Sequence, residues 1–300
     1  MTMSNQKVNM RFIAWISTIV LFAVPASASA DYTDKMTIFP VAESTRVDNS
    51  AECPGGGDMA ISGGTYNAAP YNEKLWLNSS RPGSVASPGD AGAWTVRIHN
   101  VFDGINTTSN SETWVVCDTG GAGDYRIRKE KDVKLKVPKQ AEQLVKCKDD
   151  EAVVGGGAQM NTPGELAFLV SSGPLDDGDK NTRPDGWFVA ADTASIDSGG
   201  TRMDVYAVCD KVRKPKDYRY ATETASAPDG EQALTGAGCD VFEPRVGGGV
   251  ISHAKAKHAL RINSTQPSNG TNGWEGIIDN DDTPDNEARD FTVTVICLKE

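Results

Sequence analysis

The segment CKDDEAVVGGGAQM, residues 147–160, decides how this chain is read. A cysteine leads into two valines and a glycine triplet, Gly155-Gly156-Gly157. The same order returns on either side of it: Cys53 precedes Gly63-Gly64, and Cys239 precedes Gly247-Gly248-Gly249. Each of these cysteines has a later companion, so six cysteines fall into three pairs, Cys53 with Cys117, Cys147 with Cys209 and Cys239 with Cys297. The spacings within pairs are 64, 62 and 58, and successive first cysteines lie 94 and 92 apart. A fixed period of this kind is the signature of a repeat architecture.

Other features keep step with the cysteines. Asp31-Tyr32, Asp124-Tyr125 and Asp217-Tyr218 open the units. After the glycines come Ser79-Ser80-Arg81-Pro82, Ser171-Ser172-Gly173-Pro174 and Ser264-Thr265-Gln266-Pro267. A tryptophan behind a small residue follows: Ala93-Trp94, Gly186-Trp187 and Gly273-Trp274. Each unit closes on an apolar run into its second cysteine, as in Tyr206-Ala207-Val208-Cys209. Chance supplies one such match, not five in the same order three times. The units are residues 31–123, 124–216 and 217–300.

Within a unit, short runs rich in β-branched and aromatic residues alternate with Gly, Pro, Asn and Asp, the pattern of strands and turns. In the second unit the expected strands are 125–137, 143–147, 152–160, 166–171, 187–192 and 202–210. Residues 203–209 and 291–297 are apolar on both faces, which marks central strands. Lys139 to Lys148 offers at most a turn or two of helix beside Pro138. The fold class is therefore all-β, three tandem sandwich-like or barrel-like repeats of about 90 residues. Two packings fit, and the short polar joints do not decide between them: separate but closely packed units in a row, the favoured arrangement, or one threefold body with a sheet per repeat, as in a β-prism. Glycines inside a strand signal a bulge or the close approach of another backbone. An anion cradle is the competing reading of the triplets.

The motif set, a cysteine, then Val-x-Gly-Gly-Gly, a Ser-x-Pro step, Gly-Trp and a final Val-x-Val-x-Cys-like strand, resembles repeats of secreted bacterial β-proteins over nearly all of residues 31–300. That resemblance implies an exported β-repeat protein and brings no catalytic residues with it. The threefold layout is also similar to the β-prism of vitelline membrane outer layer protein 1, as an architectural analogy only.

The first thirty residues read as a signal peptide. Lys7 and Arg11 precede the apolar run from Phe12 to Val24, Pro25 breaks it, and Ala28-Ser29-Ala30 is a cleavage pattern. Cleavage would remove two basic residues and no acid, moving the formal net charge from −11 to −13. A chain this acidic repels phosphate backbones, which argues against nucleic acid as a partner. No later segment is apolar enough for a membrane span. The expected localisation is extracellular or periplasmic, where an even cysteine count means disulfides, and the repeat selects pairing within each unit.

Catalytic signatures are absent. The histidines are His99, His253 and His258, and the spacing of the last two on a strand turns them to opposite faces. His99 lies five residues after Trp94, and Asp192 and Asp279 hold the matching positions. That substitution reads either as a varied ligand site or as a polar strand end. Trp94, Trp187 and Trp274 are candidate sugar platforms, with core packing as the stronger reading. Asp279, Asp281, Asp282, Asp285 and Glu287 crowd one loop and are candidate calcium ligands, against solvated turns. Asp176, Asp177, Asp179 and Asn181 crowd another loop, where Asp177-Gly178-Asp179-Lys180-Asn181 imitates the start of an EF-hand and then lacks its glycine, at Thr182, and its closing glutamate, at Phe188. Asn78, Asn106, Asn263 and Asn269 head N-glycosylation patterns that matter only in a eukaryotic secretory route.

These observations favour a disulfide-stabilised, non-enzymatic extracellular binding or surface protein, its repeated loops suited to carbohydrate or cell-envelope components through avidity. The alternatives are a carboxylate-based hydrolase of polysaccharide, with acids in one repeat that the others lack, and a structural or inhibitory protein. Closing loops of some 60 residues stabilises each unit by about 3–5 kcal/mol. Reduction should therefore lower the melting temperature sharply, and an unchanged melting curve on chemically confirmed reduced protein would overturn that reading.

Overall fold

The structure is a computed structural model that describes residues 32–67, 75–83, 92–101, 108–120, 124–135, 140–161, 167–176, 183–193, 201–253, 260–281 and 287–299. The leader segment lies outside the described residues. Repeat one forms β1 (Tyr32–Val41), β2 (Arg46–Glu52), β3 (Met59–Asn67), β4 (Leu75–Pro82), β5 (Ala93–Asn100) and β6 (Ser109–Asp118). Repeat two forms β7 (Tyr125–Lys134), β8 (Ala141–Lys146), β9 (Ala152–Met160), β10 (Ala167–Leu175), β11 (Gly186–Thr193) and β12 (Arg202–Asp210). Repeat three forms β13 (Tyr218–Ala227), β14 (Gln232–Gly238), β15 (Arg245–Ser252), β16 (Leu260–Pro267), β17 (Gly273–Asn280) and β18 (Arg289–Leu298). Among the described residues the one helical element is a 3-10 turn, Pro215–Asp217. The stretch before Cys147 is strand β8 rather than a helical turn, because its backbone pairs with β11 along Ala141 to Lys146.

The chain is all-β and threefold repeated, and its sheets cut across the repeats. The three six-stranded sheets run β1-β6-β3-β16-β17-β14, β13-β18-β15-β10-β11-β8 and β2-β5-β4-β9-β12-β7. Each repeat contributes its first, sixth and third strands to one sheet and its fourth, fifth and second to another. The half-sheets join cyclically, repeat one to two, two to three and three to one. This differs both from independent units in a row and from one sheet per repeat. The runs at residues 203–209 and 291–297 fall in β12 and β18, which have neighbours on both sides, as their two apolar faces require. The bridges Cys53–Cys117, Cys147–Cys209 and Cys239–Cys297 each close within one repeat, and they place the folded chain in an oxidising compartment.

The glycine triplets hold this arrangement together. The middle glycine carries the indole of its own repeat: a methyl group at Gly63, Gly156 or Gly248 would collide with Trp94, Trp187 or Trp274. The third glycine meets the next half-sheet. A methyl on Gly64, Gly157 or Gly249 would fall far inside contact distance of the carbonyl oxygen of Thr265, Ser80 or Ser172. The first position faces the pseudo-threefold axis. There Gly155 abuts the Ile61 carbonyl and Gly247 abuts the Val154 carbonyl, while Ser62 holds the matching place in β3. Bulges on β3, β9 and β15 make these contacts by skipping Ile61, Val154 and Val246 out of register. All three side chains are fully buried.

The partner strand is just as constrained. The hydroxyls of Ser80, Ser172 and Thr265 accept the indole N–H of Trp94, Trp187 and Trp274 at 2.9, 3.1 and 2.8 Å. The preceding serines, Ser79, Ser171 and Ser264, accept backbone N–H groups of Met160, Ser252 and Asn67 at 3.0, 2.9 and 3.0 Å. These serine hydroxyls satisfy donors that the short strand joint leaves over, where an unpaired buried N–H would be costly. Asn78 and Asn263 bulge out of β4 and β16 and donate to the carbonyls of Ala167 and Leu75, and Val170 stands in the third place.

Gly157→Ala should cost about 3 kcal/mol or more, since the opposing carbonyl is backbone and cannot move aside. Gly56→Ala, where an added methyl meets nothing within 4 Å, should be near neutral. Denaturant titration of both variants checks this, and equal midpoints would refute the close approach.

Candidate functional site

Trp94, Trp187 and Trp274 are 0%, 2% and 0% exposed. They are core residues, and the sugar-platform reading is set aside: an indole seated on a glycine backbone with its N–H already bonded offers no face to a ligand. Asn78 and Asn263 are likewise buried and hydrogen-bonded, so neither is open to glycosylation in the folded chain. Asn269 is exposed, and Asn106 lies outside the described residues.

His99, Asp192 and Asp279 do come to one region. They sit at the ends of β5, β11 and β17, directly across from Trp76, Phe168 and Arg261. These three, from β4, β10 and β16, meet where the half-sheets converge. The Trp76 and Phe168 rings are edge to face at 5.2 Å. The Arg261 guanidinium lies 4.0 Å from the first ring centroid and 4.7 Å from the second. Arg261 is 7% exposed and donates from Nη1 to Asp281 at 2.8 Å, with Nη2 on the other carboxylate oxygen.

The set Trp76, Phe168 and Arg261 was not read from sequence. Its signal was position alone: each lies four residues before the hydroxyl that holds the indole. Burial pushes the Asp279 carboxyl up to about 7 against hydrogen bonds from Gln232 and Asn263, with the Asp281 charge adding and Arg261 opposing. Burial and the nearby Arg46 hold His99 below the usual histidine range. Of the candidate calcium ligands, Asp281 is engaged by Arg261, Asp279 is largely enclosed, and Asp282 and Asp285 lie outside the described residues, as do Asp177, Asp179 and Asn181 of the EF-hand-like loop. Among the described residues the one cluster of metal-type ligands is Cys147, Glu151 and Cys209, and its two sulfurs are bonded to each other.

An open cleft of about 720 Å³ lies in repeat two, at the end that joins repeat three, lined by residues 146–151, 183–185 and 214–216. The turn after Cys147 forms one wall. Glu151 N–H donates to the Lys148 carbonyl at 2.8 Å, and the Glu151 carboxylate accepts from Lys148 N–H at 3.1 Å. Arg128 clamps the same oxygen at 3.0 and 2.8 Å. Burial pushes the Glu151 carboxyl up, but the Arg128 and Lys148 hydrogen bonds and the Arg128 charge outweigh it and hold the group below the ordinary range. Lys146 pairs with Asp185 at 3.2 Å and Lys214 with Asp150 at 3.6 Å. Among the described residues Lys148, Arg183 and Lys216 have no ion-pair partner, and of the lining acids only Asp149 has none. No family model matches the chain, and no curated protein matches it.

The Asp279 carboxyl generates a pH signature. Its raised folded value means that the folded state holds more protons than the unfolded one between about pH 4 and about pH 7. Its stabilising contribution is thus complete at the acid end, falls as pH rises, and levels off above about 7. Asp279→Asn should melt progressively higher than the parent as pH rises through that window. A variant-minus-parent difference that stays constant across the window would sink this assignment.

Proposed function

We propose that this chain is an exported, non-catalytic binding protein that holds an anionic group of a carbohydrate or cell-envelope polymer in the cleft of repeat two, beside its joint to repeat three. The observation that carries this reading is the local charge balance. In a chain of net charge −11, the cleft leaves three cations, Lys148, Arg183 and Lys216, and one acid, Asp149, without ion-pair partners among the described residues, while Glu151, Asp150 and Asp185 are taken up by Arg128, Lys214 and Lys146. Cations held on a stapled frame around an open polar space suit a carboxylate, sulfate or phosphate on a hydrophilic chain. The leader expected over residues 1–30 and the three bridges agree with a site that works outside the cytoplasm.

A hydrolase needs a proton-donating carboxyl beside the substrate. Asp279 has the tuning of such an acid but sits within the Arg261 cluster rather than on the cleft. Glu151, on the cleft, is shifted the other way. The separation of tuned acid from open space supports binding over turnover.

Binding to acidic and neutral polysaccharides, with product analysis on the same mixtures, tests the proposal. The parent should retain acidic polymers without releasing product, and retention should fall with salt. Lys148→Glu with Arg183→Glu and Lys216→Glu should weaken that retention at least about tenfold. Product release, or a triple variant that binds as the parent does, overturns it.

A further inference from the structure

We infer that β14 is an open sheet edge through which two copies of this chain pair antiparallel about a twofold axis at Thr235. Among the described residues the three sheets end on six edge strands, β1, β14, β13, β8, β2 and β7. Exposed edges invite pairing with another chain, and proteins blunt them with charge, proline or bulges. Five of these six are blunted. β1 carries Asp34, Lys35 and Pro40, β2 carries Arg46, Asp48 and Glu52, β8 carries Glu142 and Lys146, and β13 carries Arg219 and Glu223. β7 is charged along its length and bulges at Asp132, whose φ is 58°. In contrast β14, Gln-Ala-Leu-Thr-Gly-Ala-Gly over residues 232–238, has no charge, no proline and an unbroken register with β17.

Comparison among the repeats shows what has been removed. The pairings of Glu52 with Ala93, Lys146 with Gly186 and Gly238 with Gly273 align the second strands on the residue before each core tryptophan. Asp48, Glu142 and Leu234 are then equivalent, as are Glu52, Lys146 and Gly238. The fold accepts charge at both places in repeats one and two, yet repeat three presents a glycine and a leucine that is 62% exposed. The backbone is presented too. Cys239 N–H donates to the Asn272 carbonyl at 2.8 Å and Asn280 N–H to the Glu231 carbonyl at 2.9 Å. Odd-numbered residues of β14 therefore bond to β17, and Gln232, Leu234, Gly236 and Gly238 turn their N–H and C=O groups away from it. No ladder joins them to β13, which pairs with β18.

The strand is complementary to itself, which selects a second copy as the occupant. A recess of about 440 Å³ opens beside it, lined by Gly236, Gly238, Ser268, Thr271 and Glu275, on the face that Leu234 shares by alternation. The two glycines leave that space; β8 has Leu144 and Lys146 at the equivalent places. A twofold axis at Thr235 sets Leu234 of each copy opposite Gly236 of the other, and Gln232 opposite Gly238. That register makes hydrogen-bonded pairs of the even-numbered residues, whose backbone groups already point outward. Each leucine then lies over the other copy's glycines and enters its recess. Knob and hole on one strand, two residues apart, are the isologous match of a C2 dimer. Charge selects the same edge. Copies of a chain at −11 repel one another, and the same twofold on β2 or β8 would bring Asp48 or Glu142 within diagonal reach of its own copy. On β14 no strand residue is charged.

Sedimentation velocity of the full chain across a concentration series tests this. A strand pair of 7 residues is a small interface, so the parent should pass from monomer to dimer as concentration rises. Leu234→Lys should weaken that association at least about tenfold. It should leave the melting temperature of dilute protein unchanged, because the side chain is already mostly in water and repeats one and two carry charge at that place. Thr235→Cys gives a positive readout. On the axis, Cα atoms of a pair without hydrogen bonds lie about 4.5 Å apart, within disulfide reach. Oxidation should therefore yield a covalent dimer linked at position 235 in peptide mapping, whereas Gly238→Cys should stay uncrosslinked. A dimer that Leu234→Lys leaves intact, or one linked through position 238 and not 235, overturns the proposal. A parent that stays monomeric throughout overturns it as well, and would make a foreign strand the occupant of the edge.

Discussion

A strand without side chains at three successive positions is the constraint on which this molecule rests. Gly155, Gly156 and Gly157 face three different neighbours: a second repeat's backbone at the axis, the indole of their own repeat, and the backbone of the next half-sheet. Each contact excludes a methyl group, and each serves a different level of organisation. The middle glycine closes the sandwich of one repeat. The outer two close the ring of three. Hydrophobic burial alone is non-directional and would not choose among these packings. Close backbone approach does, since a carbonyl in a ladder has no rotamer to change.

Much of the fold was legible in the sequence. The cysteine period gives the repeat and the pairing, and the β-branched runs place the six strands of repeat two within a few residues of where they lie. The same reading favoured close backbone approach for the glycine triplets and core packing for the tryptophans, and burial bears both out. The exchange of half-sheets between repeats was not legible, because a repeat tells which strands are equivalent and not which copy each one joins. His99, Asp192 and Asp279 were legible as equivalents, but their partners Trp76, Phe168 and Arg261 share no residue chemistry that a pattern could detect. The cleft escaped for a related reason: its cations come from three separate segments, none of them unusual by itself.

Departure from symmetry is concentrated at the two ends of the body. At one end the tyrosines that open the repeats gather. Tyr125 and Tyr218 donate to Asp118 and Asp210 at 2.5 and 2.6 Å. Leu298 stands opposite Tyr218 where Asp118 and Asp210 stand opposite Tyr32 and Tyr125. Tyr32 is therefore left without a carboxylate and has Arg213 at 5.8 Å from its ring centroid. At the other end a tryptophan, a phenylalanine and an arginine fill equivalent places. Between these ends the second and third glycine contacts are kept in every repeat, and only the first gives way, to Ser62 in repeat one. Positions that maintain the ring cannot vary, whereas the rims can carry different charge and apolar content in each copy.

The cyclic joining of the half-sheets also sets an order of events. Asn67 in β3 bonds to Ser264 in β16 across a sequence separation of 197 residues, and the first strand belongs to that same sheet. A ribosome or a translocation channel delivers repeat one long before its second half-sheet exists. Contacts of such long range form late and slowly, so the earliest repeat waits, incompletely sheeted, until the last one emerges. A chain threaded through a membrane pore must stay unfolded until it is across. The closed ring thus acts as its own latch: no fragment short of the whole can shut it.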